Sequence, residues 1–167
     1  MLRKLLCAAV FVLAAPPALA QDVDALEAQL DKAREAAPMT IRNFMLVSRP
    51  AKYYGDFEAR KGNAYSRGEE LHFYAEPRNL VMKKNAAGLF EPALDVDIEV
   101  APEKGEPHKQ PKFMSVKIPA RSRIQDLYLN MTVSLGQAPP GKYNIKFVVR
   151  DVNSKKSASV AQAVTFK

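Results

Sequence analysis

The segment Leu127-Tyr128-Leu129-Asn130-Met131-Thr132-Val133-Ser134-Leu135, followed after Pro139-Pro140-Gly141-Lys142 by Tyr143-Asn144-Ile145-Lys146-Phe147-Val148-Val149, decides the fold. Apolar residues fall on every second position in both runs, which is the period of a strand with one face buried. The intervening Pro-Pro-Gly is turn chemistry. The same alternation appears upstream in Leu94, Val96, Ile98, Val100 and in Met114, Val116, Ile118. Shorter strands are predicted at Ile41–Val47, Tyr54–Ala59, Glu70–Glu76 and Ser157–Phe166, separated by turns that include Arg67-Gly68, Asn85 to Gly88, Pro102 to Pro111 and Asn153-Ser154. Eight or so strands with no helix between them cannot make a parallel sheet, which needs crossover connections. An all-β antiparallel two-sheet β-sandwich over residues 40–167 is the expected architecture.

Outside this region the period changes. Val23, Leu26, Leu30, Ala33 and Ala37 recur at spacings of 3 and 4, so residues 22–37 are predicted to form a short amphipathic helix that ends before Pro38. The helix segment is acidic, with five acidic and two basic residues, whereas the 130 residues from Pro38 onward carry 21 basic and 13 acidic ones. The helix is read as lying on its own domain or acting as a spacer. The alternative is self-association through residues 22–37, although two heptads fall short of a coiled-coil signature.

Residues 1–20 read as a secretory signal peptide: Arg3 and Lys4 precede an apolar run from Leu5 to Ala15, and Ala18 and Ala20 suit cleavage before Gln21. Cys7 stands at the start of that run, where a lipid-anchor cysteine does not belong. Cleavage would leave 147 residues with no cysteine, hence no disulfide and no thiolate chemistry, and no transmembrane segment. A 147-residue chain is long enough to be held by its core alone.

The stretch Pro140-Gly141-Lys142-Tyr143-Asn144-Ile145 resembles the entry to strand F of immunoglobulin-like domains, where a tyrosine corner stands two residues before a core position taken here by Ile145. The resemblance implies that the Tyr143 hydroxyl bonds backbone upstream. More widely, Gly68-Glu69, Tyr74-Ala75-Glu76-Pro77-Arg78-Asn79, Gly141-Lys142-Tyr143 and Asp151-Val152-Asn153-Ser154 resemble the pattern of a family of secreted bacterial proteins with an immunoglobulin-like β-sandwich domain of unknown function. That resemblance implies a bacterial, periplasmic setting and brings no activity with it.

Chemistry-bearing residues are few. His72, Tyr74 and Glu76 alternate on one strand and project to one face, opposite Leu71, Phe73 and Ala75. The face is expected to be solvated; a small metal-dependent or proton-transfer centre on His72 and Glu76 is the alternative, poorly supported because the second histidine, His108, falls in a predicted loop. No serine-nucleophile elbow and no phosphate-cradling glycine loop is present, and the scattered methionines fit core packing. The chain is therefore expected not to be an enzyme and to need no cofactor or metal.

Binding is the expected role, as a secreted interaction module. Tyr54, Tyr65, Tyr74 and Arg78 could stack on a ligand, with His72 and Glu76 beside them. Basic residues at predicted turns, Lys155 and Lys156 among them, could gather into a patch for an anionic envelope polymer. An envelope protein is the other expected partner; nucleic acid is not, because no recognised binding motif is present.

Overall fold

A computed structural model describes residues 22–136 and 138–167. The predicted signal peptide lies outside them. Helix α1 (Val23–Ala36) is followed by ten strands: β1 (Thr40–Val47), β2 (Ala64–Tyr65), β3 (Glu70–Arg78), β4 (Lys83–Lys84), β5 (Phe90–Glu91), β6 (Ala93–Pro102), β7 (His108–Lys117), β8 (Leu129–Ser134), β9 (Gly141–Asp151) and β10 (Ser157–Phe166). One sheet has the order β1-β3-β8, a second β2-β10-β9-β6-β7, and β4 and β5 form a separate ribbon. All pairs are antiparallel except β2 with β10. The described residues are thus all-β with one short helix, and no helix among them is long and apolar enough to cross a membrane.

The inward residues of the two large sheets share one core. Leu71, Phe73 and Ala75 of β3 and Ile145, Phe147 and Val149 of β9 are all fully buried. These are the alternate positions whose period-2 pattern is plain in the sequence. Phe147 packs edge-on to Phe73 with ring centroids 5.0 Å apart, and Phe44 stacks on Phe73 at 5.8 Å. At the start of β9 the Tyr143 hydroxyl donates to the Pro139 carbonyl at 2.6 Å, four residues upstream. Tyr143→Phe keeps the ring and removes this bond, so a loss of about 1 kcal/mol in urea unfolding is expected.

Two stretches depart from expectation. Tyr54–Ala59 is not a strand: only Ala59 makes an isolated bridge, to Val47, and the rest is a turn-rich loop. Local bonds compete with the ladder there, since Asp56 accepts from the Lys52 amide at 2.9 Å and from both Arg49 nitrogens. Gly55 turns the chain at φ 80°. Conversely, the predicted turn from Pro102 to Pro111 shrinks to residues 103–107, because β6 runs to Pro102 and β7 begins at His108, opposite Val100. A register shift between Val96 and Ile98, with Lys112 at φ 49°, interrupts the alternation, and Pro111 is tolerated because β7 is an edge strand.

Candidate functional site

Four of the residues singled out in the sequence, Tyr54, Tyr74, Glu76 and Arg78, converge on the outer side of β3. Tyr74 and Glu76 point away from the shared core, as their alternation requires, yet they are 0% and 2% exposed. The expected solvated face is covered by the loop from Ser48 to Arg60. This loop is held at both ends of its span: Ser48 donates to the Glu58 carbonyl and Arg60 to that of Leu46, each at 2.9 Å. Its middle is clamped by Asn130, whose side-chain amide exchanges two hydrogen bonds with the backbone of Ala51 at 3.0 and 2.7 Å. Under it, Val47, Ala51 and Tyr74 form a second small core, with the rings of Phe57 and Tyr128 4.8 and 5.8 Å from that of Tyr74.

Glu76 is the hub of the polar half of this layer. Its carboxylate accepts from the Tyr54 hydroxyl at 2.8 Å and from the Tyr74 hydroxyl at 2.9 Å, while the Arg78 guanidinium lies 3.7 Å away. Arg78 also donates to the Tyr54 hydroxyl and, at 3.1 Å, to the Gln125 carbonyl. The Tyr74 hydroxyl in turn accepts from the Gly55 amide at 2.9 Å, which ties the loop's tight turn to the strand beneath. Burial pushes the Glu76 carboxyl up, but hydrogen bonds from Asn43, Tyr54 and Tyr74 and the charge of Arg78 outweigh it and hold the group below its ordinary value. β1 bulges beside Glu76, with Asn43 at φ 49° between the pairs Arg42–Glu76 and Met45–Tyr74. Tyr74 is pushed up to about 12, first by burial and also by the neighbouring carboxylate, against the Gly55 amide. Tyr54 is raised by burial and by its bond to Glu76. The cluster is a charged latch: each hydroxyl faces the one carboxylate and Arg78 balances its charge, although the buried Arg78 Nε has no hydrogen-bond partner.

The remaining candidates are not brought to it as ligand groups. His72 lies two residues before Tyr74 on the same face of β3, with Nδ1 3.0 Å from Thr132 Oγ1 and Nε2 3.8 Å from Glu70. His108 belongs to the other sheet. No group of three or more His, Cys, Asp or Glu side chains that could hold a metal ion is present among the described residues. Tyr65, expected as a stacking surface, is 2% exposed and lies beneath the Arg60 guanidinium, 4.2 Å from the ring centre. Lys156 does not join a free basic patch, because its ammonium donates to the carbonyls of Asn79 at 2.9 Å and Arg34 at 3.2 Å. Lys155 is exposed. Asp151, Asn153 and Ser154 likewise serve the scaffold: Asp151 accepts from the Val81 amide and the Ser154 hydroxyl, and Asn153 donates to the carbonyls of Val81 and Glu91.

A groove that sequence reading missed lies at one end of the two sheets. Three strands cannot cover five, and the free edge of β8 leaves the inner sides of β6 and β7 partly open. The resulting cavity of about 630 Å³ has Ile98, Val133 and Tyr143 at its base and Val100, Phe113 and Leu135 in its walls. Its rim carries His108 and Lys104, together with Lys142, which pairs with Glu103 at 3.8 Å. The size lies within the range of small-ligand sites, and the lining suits apolar groups with a few polar contacts at the mouth.

Compared with protein-family models and with curated protein sequences, the chain matches none.

Proposed function

We propose that this chain is a secreted, periplasmic, non-catalytic binding module on an immunoglobulin-like β-sandwich, and that it takes apolar side chains of an envelope protein into the groove between β6–β7 and the β8–β9 connection. The sheet orders β1-β3-β8 and β2-β10-β9-β6-β7, the core common to both, and the Tyr143 bond to Pro139 support the immunoglobulin-like reading. The resemblance of the Tyr74–Asn79 and Asp151–Ser154 segments to a family of secreted bacterial proteins agrees with it. The N-terminal run from Met1 to Ala20 supports secretion.

The observation that carries the binding role is a contrast of surfaces. The polar residues with chemical potential are engaged with one another, Tyr54 of the covering loop and Arg78 with the buried Tyr74 and Glu76, whereas the groove leaves Val100, Phe113 and Leu135 partly open to solvent. An open apolar concavity favours association that salt does not weaken. The test is affinity capture from envelope extract by the chain from Gln21 onward, at low and high salt. One partner retained at high salt and lost with Leu135→Asp, in a variant whose thermal unfolding shows it folded, is the expected result. Capture only at low salt, or capture indifferent to Leu135→Asp, would overturn the groove and favour the anionic-polymer reading through exposed cations such as Lys155.

A further inference from the structure

Helix α1 is attached to the rest of the chain in the opposite sense to its pattern. Amphipathic helices ordinarily lay their apolar stripe on the domain. Here no residue of α1 is buried, and Val23, Leu26 and Leu30 are 65%, 43% and 49% exposed. Contact is made instead by charge. Arg123 binds Asp31 and, at 3.2 Å, Glu35, two carboxylates one helical turn apart. Lys156 donates to the Arg34 carbonyl in the last turn, where the helix dipole is negative. Behind Arg123 lies Phe90, with the Arg123 guanidinium 4.9 Å and the Lys84 ammonium 5.1 Å from the ring centre.

The hinge is firmer than the helix. Asn79 donates to the Pro38 carbonyl at 2.9 Å, and Met39 is 5% exposed. Detaching α1 therefore breaks a few ion pairs at the edge of the domain, their side chains 21–37% exposed, with no buried apolar contact to lose, while the tether stays in place. A 14-residue helix is also marginal without support. What such a detachment uncovers is a cationic surface with an aromatic floor, already shown by α1 itself to accommodate paired carboxylates.

We infer that the surface formed by Arg123, Lys156, Lys84 and Phe90 is a binding site for an acidic protein segment carrying two carboxylates one helical turn apart, and that α1 occupies it as a releasable internal competitor. The site is separate from the groove: β9 runs from Gly141 at the groove to Asp151 beside Lys156, about 35 Å of strand. An external segment competes with a tethered one, whose effective concentration is high, so binding to the wild-type chain is masked rather than absent.

The test uses the full chain from Gln21 and a fluorescent synthetic peptide of residues 21–38 as probe, read by anisotropy. Asp31→Asn/Glu35→Gln weakens the internal competitor and leaves the receiving surface intact, so the probe should bind this variant at least tenfold more tightly than wild type. Adding Arg123→Glu, or the milder Arg123→Gln, should abolish that gain. Equal affinity for wild type and the Asp31/Glu35 variant, or binding indifferent to Arg123, would overturn the inference. A scrambled peptide of identical composition that binds as well would overturn the requirement for carboxylates one turn apart.

Discussion

Glu76→Ala is expected to destabilise the chain by about 3 kcal/mol, read as a drop of roughly 6–12 °C in the thermal midpoint and a lower urea midpoint. The substitution removes the one acceptor shared by the Tyr54 and Tyr74 hydroxyls and leaves the Arg78 guanidinium without its carboxylate. Breaking a buried charged pair at one partner costs more than the pair contributes, because the group left behind keeps its desolvation cost. Arg78 is partly exposed, which holds the effect below the upper end of such cases. Glu76→Gln keeps the shape and one acceptor, and a loss of about half that size is expected.

The same residue gives stability a pH dependence of known sign. The Glu76 carboxyl is lowered in the folded chain, so its contribution is fully present above the unfolded value of about 4.3 and is lost as pH falls through the folded value. Urea unfolding of wild type and Glu76→Gln from pH 7 to pH 3 should therefore converge in the acid range. A constant difference across that range would show that Glu76 is not ionised in the latch.

Phe147→Ala is the second large effect, about 4 kcal/mol with an unchanged urea m-value. Phe147 is fully buried and meets Phe44 and Phe73 from one sheet and Phe113 from its own, so it holds the two layers in contact. Truncation leaves a void between aromatic rings whose backbones are fixed in two separate ladders and cannot close on it. A loss under 1 kcal/mol would mean that the sheets do not share this core.

Periodicity made the scaffold legible because a strand with one buried face writes its exposure pattern directly into the chain. Leu71, Phe73 and Ala75 against His72, Tyr74 and Glu76 show both its power and its limit. The first three were assigned to the core, and they lie there. The second three were correctly placed on one face, but that the Ser48–Arg60 loop would cover two of them depends on contacts such as Ala51 with Asn130, 79 residues apart, for which a single sequence has no local signature. The strand expected at Tyr54–Ala59 fails because the bonds from Arg49 and Lys52 to Asp56, which set the loop instead, leave no periodic trace in the sequence. The groove was invisible for a different reason: it follows from sheets of three and five strands meeting, a property of strand order rather than of any residue. The ionic docking of α1 was half legible, as opposite net charges of helix and domain, while the choice of Arg123 and Lys156 needed the fold.

Site-directed photocrosslinking tests the central claim most directly. A benzophenone side chain placed at position 108, on the groove rim, and separately at position 72, on the outer face of β3, would be exposed with the chain to envelope extract. A discrete adduct from position 108 with none from position 72 is the predicted result. An adduct from position 72 alone would contradict it and return the binding role to the face that Glu76 and its tyrosines occupy.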